Sequence, residues 1–286
     1  MKTIVFGGKG MLGTAVKRTF TEHGIDAVAL GRNEADITKK EEVERIVSFY
    51  KPEMVINCAA YTFVDDCEKN RELAFRVNGE GAGNVGEEAD KGGSPVVYIS
   101  TDYVFDGKKG SPYTEEDRTY PINVYGESKL KGEELTIKYA DKHYIIRTAW
   151  LFGENGRNFV DTMRGMLAKG TKPLKVVNDQ RGSPTFTNHF AEALVKIAKN
   201  IKGDAPAPPG VYHVTANGDC TWYDLAVKTA ELMSAKTEII PVSSEEFERE
   251  AKRPAYSVLD NERAGKLLGL EMPSWENGLR EYVLGR

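Results

Sequence analysis

The stretch Thr3-Ile4-Val5-Phe6-Gly7-Gly8-Lys9-Gly10-Met11-Leu12-Gly13 decides the fold. It reads as a short apolar strand, a glycine loop and the start of a helix, and its glycines are spaced Gly-x-x-Gly-x-x-Gly. The first glycine of such a loop permits a tight turn, the second lets a pyrophosphate approach the backbone, and the third lets the helix pack on the strand. The exposed N–H groups and the helix dipole then bind phosphate. This context predicts a dinucleotide-binding unit, and a glycine-rich turn without a ligand is the alternative.

Strands and helical patterns continue to alternate along the first half of the chain. Residues 26–30, 54–57, 95–100 and 144–148 read as strands, and residues 65–90 read as helical with a break near the glycines at 79–83. Alternation of this kind predicts an α/β, Rossmann-type doubly wound parallel sheet with helices on both faces. We expect a dinucleotide-binding domain over residues 1–152, to which segments of the C-terminal half can return. Residues 153–286, where the alternation weakens, are expected to form a smaller, mainly substrate-binding α/β domain.

Composition excludes several classes of protein. The chain has 286 residues, of which 40% are hydrophobic and 29% charged, and its net charge of −4 comes with no long basic run that would bind nucleic acid. No apolar stretch approaches the roughly 20 residues of a membrane span. Three cysteines without a Cys-x-x-Cys pair fit a reducing compartment. Because Met1-Lys2 leads directly into a strand, with no signal pattern, we expect a cytoplasmic protein.

The end of the second strand bears on the choice of cofactor. NAD sites carry an acidic residue there for the ribose hydroxyls, whereas this chain has Arg32, which is placed to meet a 2′-phosphate. This favours NADPH, with NADH also usable, and a solvated Arg on a turn is the alternative. Asp36 is placed to meet an adenine amine, and the small Ala59 and Ala60 leave room for a nucleotide. The complete set of predicted cofactor contacts is Gly7, Gly10, Met11, Leu12, Gly13, Arg32, Asp36, Ile37, Ala59, Ala60, Tyr61, Ile99, Tyr125 and Lys129.

Tyr125 and Lys129 are the candidates for the chemistry. Residues four apart share one helix face, and a nearby ammonium lowers the pKa of a phenol, so that the Tyr can exchange protons near neutrality. An ordinary surface pair is the alternative. Thr101 follows the strand at 95–100, where its hydroxyl can hold a substrate oxygen as charge develops, although it can also be a plain strand-end residue. A bound cofactor would then supply the hydride.

This ordered set resembles the extended short-chain dehydrogenase/reductase family and, within it, the dTDP-4-dehydrorhamnose reductases. The resemblance spans nearly the whole chain. The residues that carry it are 7–13, 59–62, 64–65, 100–105, 121–126, Lys129, 147–150, 178–180, Gly182, Pro184, Thr185, 221–223 and 253–254.

The resemblance implies a reaction and a set of substrate contacts. Hydride from NADPH or NADH would reduce the 4-keto group of dTDP-4-dehydro-6-deoxy-L-mannose to give dTDP-L-rhamnose. Thr101 and Asp102 would touch the sugar together with Tyr125, and Trp150 would pack on its methyl side, with core packing as the alternative. The polar loop that holds Gln180 and the region of Arg253 are placed to read the base and the diphosphate.

Two departures and three rival readings accompany the resemblance. Some family members dimerise through Mg²⁺ held partly by a Glu two residues after the third glycine, but this chain has Ala15 there. We therefore expect no metal and a monomer or weak homodimer. Arg32 departs from family members that have an acidic residue at that position.

A dehydratase would carry Glu in place of Tyr103, which argues against that class. An epimerase that retains NAD, and a non-catalytic module like the regulatory subunit of methionine adenosyltransferase, remain alternatives.

Overall fold

The computed structural model describes residues 1–170, 173–247 and 249–285. Its strands are β1 (Lys2–Phe6), β2 (Asp26–Leu30), β3 (Met54–Asn57), β4 (Val96–Thr101), β5 (His143–Thr148), β6 (Leu151–Phe152), β7 (Leu174–Val177), β8 (Arg181–Gly182), β9 (Thr185–Phe186), β10 (Gly210–His213), β11 (Cys220–Thr221) and β12 (Ile239–Val242). Its helices are α1 (Met11–Glu22), α2 (Lys40–Tyr50), α3 (Val64–Lys69), α4 (Arg71–Ala74), α5 (Gly81–Lys91), α6 (Val124–Tyr139), α7 (Phe159–Ala168), α8 (Thr187–Ile201), α9 (Trp222–Leu232), α10 (Glu262–Leu268) and α11 (Trp275–Leu284). A π-helix spans Phe75–Glu80, and 3₁₀ turns lie at Asp102–Val104 and Ser244–Glu246.

Six parallel strands form the central sheet, in the order β10-β5-β4-β3-β1-β2. Its inner strands are runs of Val, Ile and other apolar residues because helices cover both faces and leave no side for water. The chain leaves β1 toward β2 and then returns to the other side of β1 as β3. Ligands in such sheets bind where the strand order reverses, outside the carboxyl ends of the strands. The predicted fold class is confirmed.

The helical region between β3 and β4 differs from the prediction. No break occurs near residues 79–83, because α4 runs on through the π-helix into α5. The glycines there serve close packing of α5 on α6. A Cβ added to Gly83 would lie 3.0 Å from the Leu135 Cβ, and one added to Gly86 would lie 3.3 Å from the Thr136 Cα. Glycine marks a close helix–helix approach here, where the sequence pattern indicated a breaker.

The C-terminal half contributes to both parts of the molecule. Strand β10 extends the central sheet beside β5, and α8 packs against α1. The other C-terminal strands form two-stranded sheets, β11 with β8, β12 with β7 and β6 with β9. Thr221 caps the start of helix α9 and forms a capping box with Asp224. The predicted domain boundary at residue 152 stays a prediction. Within the parts of the chain that the structure covers, none of the helices is both long and apolar enough to span a membrane.

Candidate functional site

The three glycines of the first loop have different surroundings. Gly7 has a φ of +72°, and a Cβ there would lie 2.5 Å from the Ala59 nitrogen. A Cβ on Gly13 would lie 2.3 Å from the Gly7 carbonyl oxygen. Gly7 therefore makes the turn, and Gly13 allows α1 to pack on the loop. A Cβ on Gly10 would meet only the Gly7 oxygen, at 3.4 Å, so the surface at Gly10 is open to a ligand.

Helix α1 starts at this open surface. Gly10 is its N-cap and supplies no side-chain hydrogen bond, and the first turn contains no acidic residue. The first N–H groups of a helix lack partners within it, and the helix dipole makes this end positive. The Leu12 side chain is buried in the core, and the Met11 side chain packs against Gly156. Any contact of Met11 or Leu12 with a cofactor is therefore expected to come from the backbone.

A cleft of about 250 Å³ lies beside the glycine loop and the carboxyl ends of β2 and β3. Eight predicted cofactor residues line it: Gly7, Gly10, Arg32, Asp36, Ile37, Ala59, Ala60 and Tyr61. Its other lining residues, which the sequence did not single out, are Lys9, Gly31, Ala35, Cys58, Leu73 and Val77. Val77 belongs to the π-helix, and such irregular turns often occur at functional sites.

Charged side chains surround the outer part of this cleft. The Arg32 side chain is 73% exposed, and its Nε lies 3.4 Å from Asp36 Oδ2. Asp36 Oδ1 accepts hydrogen bonds from the backbone and the hydroxyl of Thr38. Although burial acts against them, these hydrogen bonds and the Arg32 charge hold the pKa of Asp36 below its usual value. Lys9 pairs with Glu34, which also accepts the Gly31 N–H. The exposed Arg32 guanidinium is thus accessible to a phosphate group.

Thr101, Asp102 and Tyr125 come together at the carboxyl end of β4. Tyr125 lies in the first turn of α6, which Asn123 caps by accepting the Gly126 N–H at 2.8 Å. The Thr101 hydroxyl donates to Asp102 Oδ1 at 2.9 Å and lies near the Tyr125 hydroxyl, whose pKa it acts to lower. A Cβ on Gly126 would lie 2.1 Å from the Tyr103 carbonyl oxygen, so only glycine lets the start of α6 approach this closely. The structure therefore unites the predicted Tyr and Thr.

Lys129 lies one turn further along α6 and is buried. Its Nζ donates to the Ile99 carbonyl oxygen at 2.6 Å and lies 4.1 Å from the centre of the Tyr98 ring. Burial lowers the pKa of Lys129 to about 7, and the nearby Glu133 carboxylate acts in the opposite direction. Ile99, predicted as a cofactor contact, has its side chain in the core and uses its carbonyl to hold Lys129.

The sequence predicted that Lys129 lowers the pKa of Tyr125. In the structure the pKa of Tyr125 is instead raised above its ordinary value. Burial raises it, and the influence of the Thr101 hydroxyl only partly offsets that effect. The Asp102 charge raises it further. The prediction was wrong because it considered only the spacing of Tyr125 and Lys129. Tyr125 is partly buried, Lys129 is buried, and the Lys129 ammonium is engaged by the Ile99 carbonyl.

Buried polar atoms without a hydrogen-bond partner accumulate at the carboxyl edge of the sheet. In the described part of the chain they include Asn57 Nδ2 at the end of β3, Asp102 Oδ2 after β4 and Thr148 Oγ1 at the end of β5. Burial raises the pKa of Asp102 to about 6, although the Ser257 and Thr101 hydroxyls act against it. Leaving such groups unpaired is costly, so this edge suits a polar ligand that completes their hydrogen bonds.

Trp150 and Gln180 lie together but are already engaged with neighbours. The Trp150 ring stacks on Trp222 with 3.5 Å between ring centroids and 3° between planes. Trp222 Nε1 donates to Gln180 Oε1 at 3.1 Å, and Gln180 Nε2 donates to Ser244 Oγ at 2.8 Å. Trp150 also has a φ of +47°, a strained value for a bulky residue. Trp222 was not predicted as a site residue, and its only signal was segment 221–223 of the resemblance.

Arg253 reaches the same area from the C-terminal half. Its Nη1 and Nη2 donate to the two carboxylate oxygens of Asp65 at 3.0 and 2.9 Å. It also lies near Tyr103, whose ring packs edge-on against Tyr125 with centroids 5.6 Å apart. Arg253 is therefore near the predicted catalytic residues. Its two terminal guanidinium nitrogens, however, bind Asp65 and do not point into open space.

Fold and site together define a dinucleotide-binding α/β protein of the short-chain dehydrogenase/reductase type. The family model described as RmlD substrate binding domain matches residues 1–285, and the chain belongs to this family, the family of the dTDP-4-dehydrorhamnose reductases. The predicted family is confirmed.

Known proteins show the same relationship along their whole length. The chain is 41% identical to dTDP-4-dehydrorhamnose reductase of Streptomyces griseus, over 97% of this chain and 91% of that protein. It is 40% identical to the spore coat polysaccharide biosynthesis protein SpsK of Bacillus subtilis, over 100% and 98% of the two chains. A crystal structure of the Bacillus anthracis dTDP-4-dehydrorhamnose reductase in complex with NADP is 37% identical, covers all of both chains and superposes with a TM-score of 0.94.

Proposed function

We propose that the chain is an NAD(P)H-dependent reductase that acts on the 4-keto group of dTDP-4-dehydro-6-deoxy-L-mannose and forms dTDP-L-rhamnose. The observation that carries this proposal is the union of Thr101, Tyr125 and Lys129 at the sheet edge that also bears the cofactor cleft. The relatives named for this reaction, and the relative solved with NADP, support the same conclusion.

The cleft fits a nicotinamide dinucleotide. The open backbone at Gly10 and the uncapped start of α1 would hold the pyrophosphate, because both present N–H groups to an anion. Arg32 would pair with a 2′-phosphate, so NADPH is preferred and NADH is usable. When bound, the cofactor supplies the hydride, which no side chain can provide.

Tyr125 acts as the proton donor. Because burial raises its pKa, its hydroxyl is protonated at neutral pH, which suits an acid that delivers a proton to the substrate oxygen during reduction. The Thr101 hydroxyl would hold the same oxygen, because it lies near enough to the Tyr125 hydroxyl to influence its pKa. When protonated, Lys129 would place positive charge behind them, and it would bond the nicotinamide ribose.

The side chains that would bind the sugar nucleotide are mostly kept in place by contacts with neighbouring side chains. Asp102 Oδ2, buried without a hydrogen bond, would accept one from a sugar hydroxyl. Trp150 forms an apolar wall that Trp222 and Gln180 fix in place. Arg253 would bind the diphosphate while Asp65 keeps its fork oriented. We further propose a cytoplasmic monomer or weak homodimer, which light scattering of the purified protein would test.

The test is consumption of NADPH, followed by absorbance, with dTDP-4-dehydro-6-deoxy-L-mannose as substrate, and its repetition with NADH. We expect rapid consumption with both cofactors and formation of dTDP-L-rhamnose. Arg32→Met should raise KM for NADPH about tenfold and leave KM for NADH unchanged, since one charge-assisted contact is lost. Arg45→Met, an exposed change on α2, is the control. Cofactor binding without consumption would move the assignment to another keto sugar or to a binding module.

A further inference from the structure

Glu133 is a buried acid that the proposed reaction does not use. It lies one turn after Lys129 on α6, and both side chains are about 2% exposed. Its carboxylate accepts hydrogen bonds from Arg147 Nε at 3.0 Å, from Arg147 Nη2 at 2.7 Å and from Ser100 Oγ at 2.5 Å. Ser100 and Arg147 directly precede Thr101 on β4 and Thr148 on β5, so this cluster lies immediately beneath the carboxyl edge of the sheet.

Arg147 is as deeply buried as its partner. Its Nη1 lies 3.4 Å from His213 Nε2, and its Cζ lies 5.2 Å from the centre of the Phe105 ring. Burial and the Arg147 charge lower the pKa of His213 to about 3, so the imidazole is neutral. Its Nδ1–H donates to the Tyr113 carbonyl, which leaves Nε2 to accept from Arg147. Arg147 and Glu133 therefore form a closed pair without net charge.

The groups that face Lys129 come from three elements. Glu133 shares its helix, Tyr98 of β4 places its ring 4.1 Å from Nζ, and Cys58 follows β3. Burial raises the pKa of the Cys58 thiol to about 12, so Cys58 is neutral. Among these groups only Glu133 has a carboxylate side chain, and both of its oxygens are bound by Arg147. A carboxylate that a guanidinium neutralises attracts a neighbouring ammonium only weakly.

We propose that Glu133 is a positioning residue that acts through Lys129: its pair with Arg147 fixes how much negative charge Lys129 experiences, and thereby whether Lys129 is charged at neutral pH. The pair holds Lys129 between two extremes. A Glu133 without Arg147 would lock Lys129 as an ammonium, and an Arg147 without Glu133 would repel its proton. The consequence for catalysis rests on the proposed function, but the charge of Lys129 does not.

Substitutions of the two partners should therefore act in opposite directions. Glu133→Gln removes the anion and leaves the Arg147 charge, so the midpoint of Lys129 protonation should fall. Arg147→Met exposes Lys129 to an uncompensated carboxylate, so the midpoint should rise. A charge within about 4–6 Å typically moves a midpoint by roughly 1–3 pH units. A merely structural role of the pair would not move the midpoint up in one variant and down in the other.

The experiment is an NMR titration of the full chain labelled with ¹³C at lysine Cε, without cofactor or substrate. The Lys129 signal is assigned by its loss in Lys129→Met. We expect a midpoint near 7 in the unchanged protein, a lower one in Glu133→Gln, a higher one in Arg147→Met and a small change in Arg147→Lys, which keeps the charge. Equal midpoints, or shifts in the same direction, would overturn the proposal.

Milder variants decide the matter if the charge variants do not fold. Ser100→Ala removes one hydrogen bond to Glu133 and should raise the Lys129 midpoint measurably. The matched control is Ser128→Ala, which removes a buried hydroxyl that bonds Asn78 and the Tyr125 carbonyl but does not touch Glu133. An unchanged midpoint in Ser100→Ala would contradict the proposal. Because the titration needs no turnover, its result stands apart from the success or failure of the reductase assay.

Discussion

The cofactor cleft and the substrate side of this molecule are built in opposite ways. Backbone and small residues form the cleft: Gly7 and Gly10 turn and open the loop, and Ala59 and Ala60 leave space beside it. On the substrate side, side chains that were predicted to bind substrate are already engaged by other side chains. Trp150 stacks on Trp222, Gln180 bonds Trp222 and Ser244, and Arg253 bonds Asp65.

This difference teaches how the two ligands are recognised. A cleft made from strand ends and a helix start is rigid and needs no side chain to move before it binds phosphate. The substrate side, in contrast, is formed by side chains that are held in position by pairwise contacts. A single substitution can remove one such contact without removing the others. Substitutions in the cleft should therefore change cofactor affinity alone, and those in the wall should change sugar-nucleotide affinity alone. Tyr125 stands where the two regions meet, so its loss should affect turnover but neither affinity.

Tyr125→Phe should have the largest effect. It removes the proton donor, and general acid catalysis contributes about 10²–10⁴-fold, so we expect kcat to fall roughly a thousandfold. The NADPH Kd from fluorescence titration should stay within about twofold. The control is Tyr120→Phe, because Tyr120 is 61% exposed and should tolerate the change. Loss of cofactor binding in Tyr125→Phe would contradict the claim that Tyr125 affects turnover without affecting cofactor affinity.

Lys129→Met tests the burial of Lys129 through its effect on the thermal stability of the protein. A buried lysine with a lowered pKa binds fewer protons in the folded than in the unfolded chain, so it destabilises the fold below pH 7 and less as the pH rises toward 10.5. The full difference corresponds to roughly 4–5 kcal/mol. Without cofactor, Lys129→Met should raise Tm most at pH 6 and least near pH 10. A Tm change that is the same at all pH values would rule out this explanation.

Arg253→Met sharpens the comparison on the substrate side. Removing a charged hydrogen-bonding group costs about 1.5–3 kcal/mol, so the sugar-nucleotide KM should rise on the order of 10–100-fold while the NADPH Kd stays constant. Arg249 also faces Asp65, but at 3.7 Å and with a 57% exposed side chain, so Arg249→Met should change KM less than about twofold. Asp65→Asn, which keeps the Arg253 charge, should raise KM less than Arg253→Met. The reverse order would show that Arg253 serves the fold only.

Gly10→Ala tests the cleft. Its φ of −80° is ordinary for alanine, and the added Cβ would meet one protein atom at 3.4 Å, so Tm should hardly change. The methyl group would nevertheless occupy the space of the pyrophosphate, and we expect the NADPH Kd to rise about tenfold (a cost near 1.4 kcal/mol). Gly165→Ala is the control, because a Cβ there meets nothing within 4 Å. An unchanged Kd in Gly10→Ala would place the cofactor elsewhere.

Trp222→Phe should have the smallest effect. The aromatic stack on Trp150 remains, but Gln180 Oε1 loses the indole N–H, a hydrogen bond worth about 0.5–1.5 kcal/mol. The sugar-nucleotide KM should rise about threefold in steady-state assays, and the NADPH Kd should not change. A larger effect on NADPH than on the sugar nucleotide would break the division between the two regions.

The same contrast explains what could be predicted from the sequence. The cleft follows from local signals, namely the spacing of Gly7, Gly10 and Gly13 and the positions of strand ends. The substrate side depends on contacts between distant positions, such as Asp65 with Arg253, and no local pattern announces that a side chain will be engaged. The acidity of Tyr125 was misjudged for a related reason, since helix spacing reveals a neighbour but not the burial that determines the pKa.

The measurement that tests the central claim most directly uses NADPH deuterated at the transferred position. With dTDP-4-dehydro-6-deoxy-L-mannose, we expect dTDP-L-rhamnose that carries one deuterium at sugar carbon 4 for each cofactor consumed, as determined by mass spectrometry and NMR. Tyr125→Phe should form almost none at an unchanged NADPH Kd. Conversion of the sugar without deuterium would indicate an epimerase that retains its cofactor. Binding of labelled NADPH without any conversion would contradict the reductase for this substrate.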